Sequence, residues 1–154
     1  MRGVYTATYK IAALAAAKTL MYLTGPSTAV IEIISASVTN SSNATNQQME
    51  CTLTTVTTLG TPTATTVTPA KQESGSAASG ATIKGNVTAS EPTYPADTSA
   101  DYGHEGASSL GGWYFDPMPE ERPTIAPSAT MGLRMISTPT AMDVEVRITY
   151  REIG

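Results

Sequence analysis

The chain has 154 residues, of which 40% are hydrophobic and only 14% are charged, and its formal net charge is −4 at pH 7. This length suits one domain, and the shortage of charge together with abundant Thr excludes a charge-rich disordered chain. No basic run is interleaved with aromatic residues, so we expect no binding of nucleic acid. No stretch approaches the ~18 apolar residues of a membrane span.

The N-terminal segment combines a short strand pattern with an alanine-rich stretch. Residues 4–10 are rich in Tyr and Thr and predict a strand. Residues 11–17 have helical propensity but are too few for a stable isolated helix, so a bend and a single helical turn are both open. Lys18 interrupts the short apolar run, and we therefore expect no cleaved signal peptide.

Four strands are predicted next, over residues 18–24, 28–39, 48–59 and 63–68. The second has apolar residues on both parities, which indicates a strand covered from both sides. Glu32 within it would then need a partner or lie near a strand end. In the third strand, Met49, Cys51 and Leu53 are predicted to face the core, and Glu50, Thr52 and Thr54 to face outward. Cys51 is the single cysteine, and we interpret it as a small packing residue.

Two long loops are predicted, at residues 71–80 and 91–112, on either side of a short strand over 81–89. Gly75 and Gly80 have the spacing of a phosphate-binding loop, but Ala81 stands where that motif needs Lys. We therefore interpret the first loop as flexible and without a ligand.

The second loop holds the only histidine, His104, which we expect to be solvated and not catalytic. It also holds the acidic residues Asp97, Asp101 and Glu105. Together with Asp116 these could gather around Ca²⁺, but their spacing matches no known calcium loop. We interpret them as solvated charge and predict neither a metal nor a cofactor.

Trp113, Tyr114 and Phe115 form the aromatic centre of the chain. They indicate a plug in the core or at a subunit interface, and the alternative is a sugar-stacking platform shared with Tyr94 and Tyr102. Residues 116–123 leave this run as an extended, proline-rich arm.

The last two predicted strands cover residues 131–137 and 143–153. In the final strand, every second residue is apolar and faces a core, while charged residues and Thr alternate with them. The apolar set is Val144, Val146, Ile148 and Tyr150. Many short strands separated by Pro and Gly predict an all-β fold, a single β-sandwich domain over residues 1–154, of jelly-roll type.

Four segments of the last third of the chain carry a resemblance: Trp113-Tyr-Phe, Glu120-Glu-Arg-Pro, Met131-Gly-Leu-Arg-Met, and residues 143–154. Together they resemble the head decoration (cement) proteins of tailed bacteriophages, of jelly-roll type. The resemblance implies a homotrimer on the capsid surface of the virion, made in the host cytoplasm and bound to the major capsid protein. It implies no catalytic residue and no cofactor.

On this interpretation two sets of residues are candidates for contacts. The first is expected in the core or between copies of the chain: Trp113, Tyr114, Phe115, Val144, Val146, Ile148 and Tyr150. The second is expected to contact the capsid: Asp116, Glu120, Glu121 and Arg122. The alternative functions are a carbohydrate-binding β-sandwich module, a head-fibre or host-recognition protein, and another part of the virion. An enzyme is not expected.

Overall fold

The computed structural model describes residues 3–42, 45–97 and 101–154. Within them, twelve strands are connected by turns, loops and one 3-10 turn at Pro119–Glu121. The strands are β1 (Gly3–Leu14), β2 (Lys18–Thr24), β3 (Val30–Asn40), β4 (Gln48–Thr55), β5 (Thr63–Thr66), β6 (Ala70–Lys71), β7 (Thr82–Ala89), β8 (Asp101–Ser108), β9 (Trp113–Phe115), β10 (Thr124–Ile125), β11 (Thr130–Met135) and β12 (Met142–Ile153).

Two antiparallel six-stranded sheets pack face to face. The first sheet has the order β10-β3-β12-β1-β6, with β9 also paired to β3, and the second has the order β5-β7-β2-β11-β4-β8. The predicted all-β sandwich is therefore confirmed, whereas jelly-roll connectivity stays a prediction.

The core lies between the sheets and is centred on β12. Val144, Val146, Ile148 and Tyr150 are all fully buried, as the alternation along this strand predicts. β12 lies between β3 and β1, so both of its edges are hydrogen-bonded. These four side chains consequently pack inside the chain's own core.

The alanine-rich segment after residue 10 continues β1 and forms no helical turn. Leu14 pairs with Met142 beyond a bulge, and Ala13 within the bulge has a φ of 50°. Leu14 is buried in the core. Tertiary pairing with β12 thus overrides the helical propensity of alanine.

β4 confirms the inward half of its predicted pattern, whereas the outward half holds for Glu50, whose side chain is 44% exposed, and fails for two threonines. Met49, Cys51 and Leu53 are fully buried toward the core, as predicted. Thr52 and Thr54 were predicted to face outward, but they are also fully buried. Thr54 donates its hydroxyl hydrogen to Asp101 of the neighbouring strand at 2.7 Å, so this buried hydroxyl has a polar partner.

The predicted loop 91–112 is wrong in its second half. Asp101–Ser108 forms β8, which pairs with β4 at the end of the second sheet. Most of its residues are exposed, so it lacks the apolar alternation that would have identified it in the sequence. A polar, glycine-containing composition is typical of edge strands, because it discourages pairing with other chains.

The other irregular segments are also more structured than expected. Lys71 of the predicted loop 71–80 belongs to β6, and the arm 116–123 contains the 3-10 turn at Pro119–Glu121 where an extended chain was predicted. No helix within the described ranges is long and apolar enough to cross a bilayer.

Candidate interaction surface

One edge of the sandwich is built where β8 of the second sheet meets β9 of the first. The indole Nε1 of Trp113 donates a hydrogen bond to the carbonyl oxygen of Gly103 at 2.9 Å. Gly103 has a φ of 62°, and a Cβ at this position would clash with the ring of Phe115. Glycine is therefore required here both by the backbone conformation and by the close approach of the ring.

The aromatic run is divided between the core and the solvent, because successive residues of a strand point to opposite faces. Trp113 is fully buried. Phe115 is partly buried and stacks on Trp113, with ring centroids 6.3 Å apart. Tyr114 points the other way and keeps 60% of its surface exposed.

The arm that follows is fastened to the first sheet by a buried carboxylate. Glu32, which is 7% exposed, accepts hydrogen bonds from the guanidinium of Arg151 and from Nη1 of Arg122, the latter at 3.2 Å. The Arg151 guanidinium, assisted by Arg122, holds the pKa of Glu32 below its usual range. The backbone N–H of Ile33 also donates to the carbonyl of Pro123 at 3.0 Å. The predicted need of Glu32 for a partner is thereby confirmed.

Exposed apolar side chains gather at this same edge. Of the five large apolar side chains that the described residues leave exposed, four lie on β8, on β9, in the turn between them, or on the arm: Tyr102 at 37%, Leu110 at 68%, Tyr114 at 60% and Met118 at 65%. The fifth, Ile153, lies at the end of β12. Monomeric proteins scatter such residues singly, so a cluster on one edge indicates a contact surface.

Carboxylates without an ion pair lie on β8 and on the arm, the elements that also carry exposed apolar side chains. Glu105, Asp116, Glu120 and Glu121 are exposed, and none forms an ion pair with another described residue. We call the surface formed by these four carboxylates with Tyr102, Leu110, Tyr114 and Met118 the acidic edge. A groove of about 260 Å³ beside Tyr114 adjoins it, with Asp116 and the exposed Arg147 in its walls.

The structure separates the residues that the sequence analysis grouped together. Asp116, Glu120 and Glu121 of the expected capsid set face solvent, whereas Arg122 turns inward to Glu32. Of the expected core or intersubunit set, Tyr114 is the most exposed. Leu110 and Met118 were missed, because a single apolar residue in a turn or a proline-rich segment carries no periodic signal.

His104 is not the solvated loop residue that was expected. It lies on β8, with its Nδ1 2.9 Å from Oδ2 of Asp101 and its Nε2 2.6 Å from Oε1 of Glu50. The hydrogen bond to Glu50, together with the one to Asp101, raises the pKa of His104. An imidazolium donating to both carboxylates satisfies this geometry. Since both ring nitrogens are engaged, the group links β4 to β8 and leaves no ring nitrogen to serve as a base.

The single cysteine is also enclosed in the core. Cys51 is fully buried, and burial with the neighbouring Glu50 charge raises its pKa to about 12, so the reactive thiolate is disfavoured. Among residues 3–42, 45–97 and 101–154, no three His, Cys, Asp or Glu side chains are placed to hold a metal ion.

The loop with phosphate-loop spacing holds a carboxylate of the chain itself. Oε1 of Glu152 accepts hydrogen bonds from the backbone N–H of Gly80 at 2.9 Å, from that of Ala81 at 3.2 Å and from the hydroxyl of Ser79 at 2.6 Å. The amides that would bind a phosphate are therefore occupied, and the loop is fastened to the end of β12. The structure therefore anchors the C-terminal end of this loop, and the flexibility of the rest stays a prediction.

The opposite edge of the sandwich carries lysines together with carboxylates: Lys10 forms an ion pair with Asp143 at 3.7 Å, and the exposed Glu73 follows Lys71 by two residues. All four lysines of the sequence lie on neighbouring strands there, at Lys10 on β1, Lys18 on β2, Lys71 on β6 and Lys84 on β7. β1 and β6 end the first sheet on the side where β7 and β5 end the second. Contact of the Tyr9 ring with Gly85 shows that β1 faces β7 across the core. We call the surface formed by these four lysines the lysine edge.

No family model, no curated protein and no solved structure matches this chain.

Proposed function

We propose that this protein is a structural component of a bacteriophage virion, which decorates the capsid and stabilises it by binding the major capsid protein as a homo-oligomer, a homotrimer. The observation that carries the proposal is the acidic edge, where exposed apolar side chains and carboxylates without an ion pair lie on the same elements. An apolar centre with a charged rim is the usual anatomy of a surface that binds another protein.

The construction behind this surface supports a mechanical role. The joint between Trp113 and Gly103 and the bonds of Glu32 to two arginines hold the edge against both sheets. A surface that is already ordered loses little conformational entropy on binding, so more of its contact energy appears as affinity. A rigid block that bridges neighbouring capsid subunits would resist their separation.

Decoration of a lattice does not require strong individual contacts. If several copies are joined in one oligomer, each additional contact with the capsid is intramolecular and benefits from a high effective concentration. The low charge of the chain also limits the cost of removing water from its broad Thr- and Ser-rich surfaces.

The sugar-binding alternative has fewer aromatic faces than the sequence suggested. Trp113 is fully buried, and the ring of Tyr94 is covered by the guanidinium of Arg134, 4.0 Å from the ring centroid. Tyr102 and Tyr114 are the exposed rings that this alternative retains.

The direct test is co-sedimentation of the purified protein with expanded capsids of the parent phage from which decoration proteins have been stripped. We expect saturable binding at a fixed number of copies per capsid subunit, and higher resistance of the capsids to heat. Tyr114→Ser should weaken binding, whereas Ile153→Ser, which removes an exposed apolar side chain outside the acidic edge, should not. A protein that remains in the supernatant with these capsids, or that instead binds glycans through Tyr114, would refute the proposal.

A further inference from the structure

We propose that a pocket on the outer face of the second sheet binds a small hydroxycarboxylate, a monoanion with a hydroxyl group on the carbon next to its carboxylate. The pocket has a volume of about 180 Å³ and lies between β2, β11 and residues 91–94, which we call the covering segment. We name it the Arg134 pocket. It lies apart from the acidic edge, and the proposal does not depend on capsid binding.

The alternation along β11 places the pocket. Leu133 and Met135 belong to the core between the sheets, so Gly132 and Arg134 face the other way. The ring of Tyr94 lies on this outer face, since a Cβ at position 132 would collide with its hydroxyl oxygen. The ring and the Arg134 side chain therefore form neighbouring walls of the pocket.

The covering segment is fastened to the sheets and leaves the pocket in place. Oε2 of Glu91 accepts a hydrogen bond from the backbone N–H of Thr19 at 3.0 Å, and the hydroxyls of Tyr94 and Thr19 are 2.7 Å apart. The backbones of Thr93 and Thr58 exchange hydrogen bonds at 2.8 and 3.2 Å. Walls that are ordered before binding lose little conformational entropy when a ligand enters.

Arg134 brings a guanidinium with free N–H groups into the pocket. Its central carbon lies 4.0 Å from the centroid of the Tyr94 ring, so the ring supports the face of the guanidinium. Among the residues that the structure describes, none forms an ion pair with it or accepts a hydrogen bond from it. The planar fork of arginine matches the two oxygens of a carboxylate, which is therefore the expected ligand group.

A buried hydroxyl beside Arg134 also lacks a partner. Thr52 lies directly across from Arg134 in the pairing of β4 with β11, and residues paired in this way share a face. Thr52 is fully buried, and its Oγ1 bonds to nothing in the described part of the chain. Glu50, the carboxylate of the same strand, is engaged by His104 at 2.6 Å. Buried polar atoms are nearly always bonded, so this part of the face suits an added acceptor.

The charges in the walls favour a ligand with one negative charge. Lys18 and Arg134 contribute two positive charges, and Glu91 contributes one negative charge. The ammonium group of Lys18 bonds the neutral side-chain oxygen of Asn86 at 2.6 Å, so its charge is not cancelled there. A monoanion neutralises the remainder, whereas a phosphate dianion would exceed it and would be repelled by Glu91.

Glu91 explains why the ligand should also carry a hydroxyl group. It lines the same pocket as Arg134 without forming an ion pair with it, and Oε1 has no bond to another described residue. A ligand with its carboxylate on Arg134 and its hydroxyl donating to Glu91 satisfies both groups. An ammonium in place of the hydroxyl would make the ligand neutral overall and would be repelled by Lys18.

The volume limits the size of the ligand. Pockets for drug-sized molecules have volumes of roughly 300 to 1,000 Å³, and the Arg134 pocket is smaller. Free hydroxy acids such as lactate are compact enough. Acidic sugars such as glucuronate carry the same chemical group on a larger body, so a comparison of the two distinguishes the sources.

The test is an NMR titration of the protein at pH 7 with lactate, acetate, glucuronate or inorganic phosphate, following the Nε–Hε signal of Arg134 and the amide signal of Thr19. We expect saturable shifts with lactate, and binding of lactate about fivefold tighter than that of acetate, which has no hydroxyl. Lactate should also raise the melting temperature, since a ligand that binds only the folded state stabilises it.

Three variants test the assigned roles. Arg134→Gln should weaken lactate binding at least about 10-fold, and Arg134→Lys, which keeps the charge but loses the fork, replaces it if the first variant does not fold. Glu91→Ala should abolish the preference for lactate over acetate. Arg147→Gln, at an exposed arginine of the first sheet, is the matched control and should leave binding unchanged.

The proposal would be overturned by any of four results: no saturable shift with lactate, equal affinity for lactate and acetate, tighter binding of phosphate or glucuronate than of lactate, or an equal loss of binding in Arg147→Gln and Arg134→Gln. None of these measurements involves capsids, so their failure is distinct from failure of the proposed function.

Discussion

The two edges of the sandwich are built on opposite principles. At the acidic edge, specific polar bonds join the elements internally, as between Trp113 and Gly103 and between Glu32 and Arg122, while the outermost carboxylates have no ion-pair partner among the described residues. At the lysine edge, ammonium groups are engaged by side chains nearby: Lys84 bonds Thr66 at 3.3 Å, Lys18 bonds Asn86 at 2.6 Å, and Lys10 forms an ion pair with Asp143 at 3.7 Å. The difference indicates that the acidic edge is ordered before it binds a partner. Its outward carboxylates remain available for binding.

This comparison predicts that substitutions at the acidic edge divide into two kinds. Those that break its internal bonds should lower the free energy of unfolding. Those that remove its outward groups should leave the free energy of unfolding almost unchanged and affect only association.

The largest effect is expected for Trp113→Ala. The indole is fully buried and its N–H is bonded to Gly103, so its loss creates a cavity and an unsatisfied carbonyl. We expect the free energy of unfolding to fall by about 3 to 5 kcal/mol, measured by urea denaturation. Ile83→Val, a smaller deletion in the core near the lysine edge, should cost about 1 kcal/mol. A Trp113→Ala protein of normal stability that has lost glycan binding would contradict the core assignment of this residue.

Glu32→Gln is expected to rank second. It leaves two guanidinium groups together without their carboxylate, at a cost of about 2 to 3 kcal/mol, below the value for a fully buried pair because Arg151 is partly exposed. Because the folded-state pKa of Glu32 is lowered, its contribution is present above the ordinary pKa of Glu and is lost as pH falls through the lower folded value. Urea titrations between pH 7 and pH 3 should therefore show a shallower loss of stability for Glu32→Gln than for the unmodified chain.

His104→Gln should have a smaller and pH-dependent effect. The folded-state pKa of His104 is raised, so its contribution is complete below the ordinary value of about 6.5 and is lost as pH rises through the folded value. After allowance for solvent screening of this exposed group, we expect a loss of no more than about 1 kcal/mol at pH 6. Hydrogen exchange of the β8 amides should quicken at pH 6 in the variant. Equal exchange in the two proteins at that pH would show that the imidazolium does not fasten β8.

The smallest effect on folding is expected for Tyr114→Ser. Its ring is mostly exposed, and surface substitutions of this kind usually change stability by less than about 0.5 kcal/mol. Its effect should appear only in association, as at least several-fold weaker binding to capsids in co-sedimentation experiments. A large loss of thermal stability would place Tyr114 with the internal bonds of the edge and weaken the comparison between the two kinds of residue.

The interior of this protein could be predicted from the sequence to a large extent. The alternation of Val144, Val146 and Ile148 identifies β12 and its buried face, since a strand with one face in the core must repeat every two residues. The buried positions of Met49, Cys51 and Leu53 follow from the same rule. The candidate surface was predictable only in part, because Tyr114 and the arm were singled out whereas Leu110 and Tyr102 were not assigned to it.

The sequence by itself determined a neutral, threonine-rich β protein whose inward-facing residues repeat every two positions, because that periodicity is a local property of an extended chain. Only the tertiary structure decided which polar residues meet. The sequence pattern did not indicate β8, because an edge strand needs no apolar face. The contact between His104 and Glu50 could not be predicted either, because the two residues lie 54 positions apart in the chain. The placement of the four lysines on β1, β2, β6 and β7 likewise comes from strand order, since residues far apart in the chain reach one side of the molecule only when the sheets assemble.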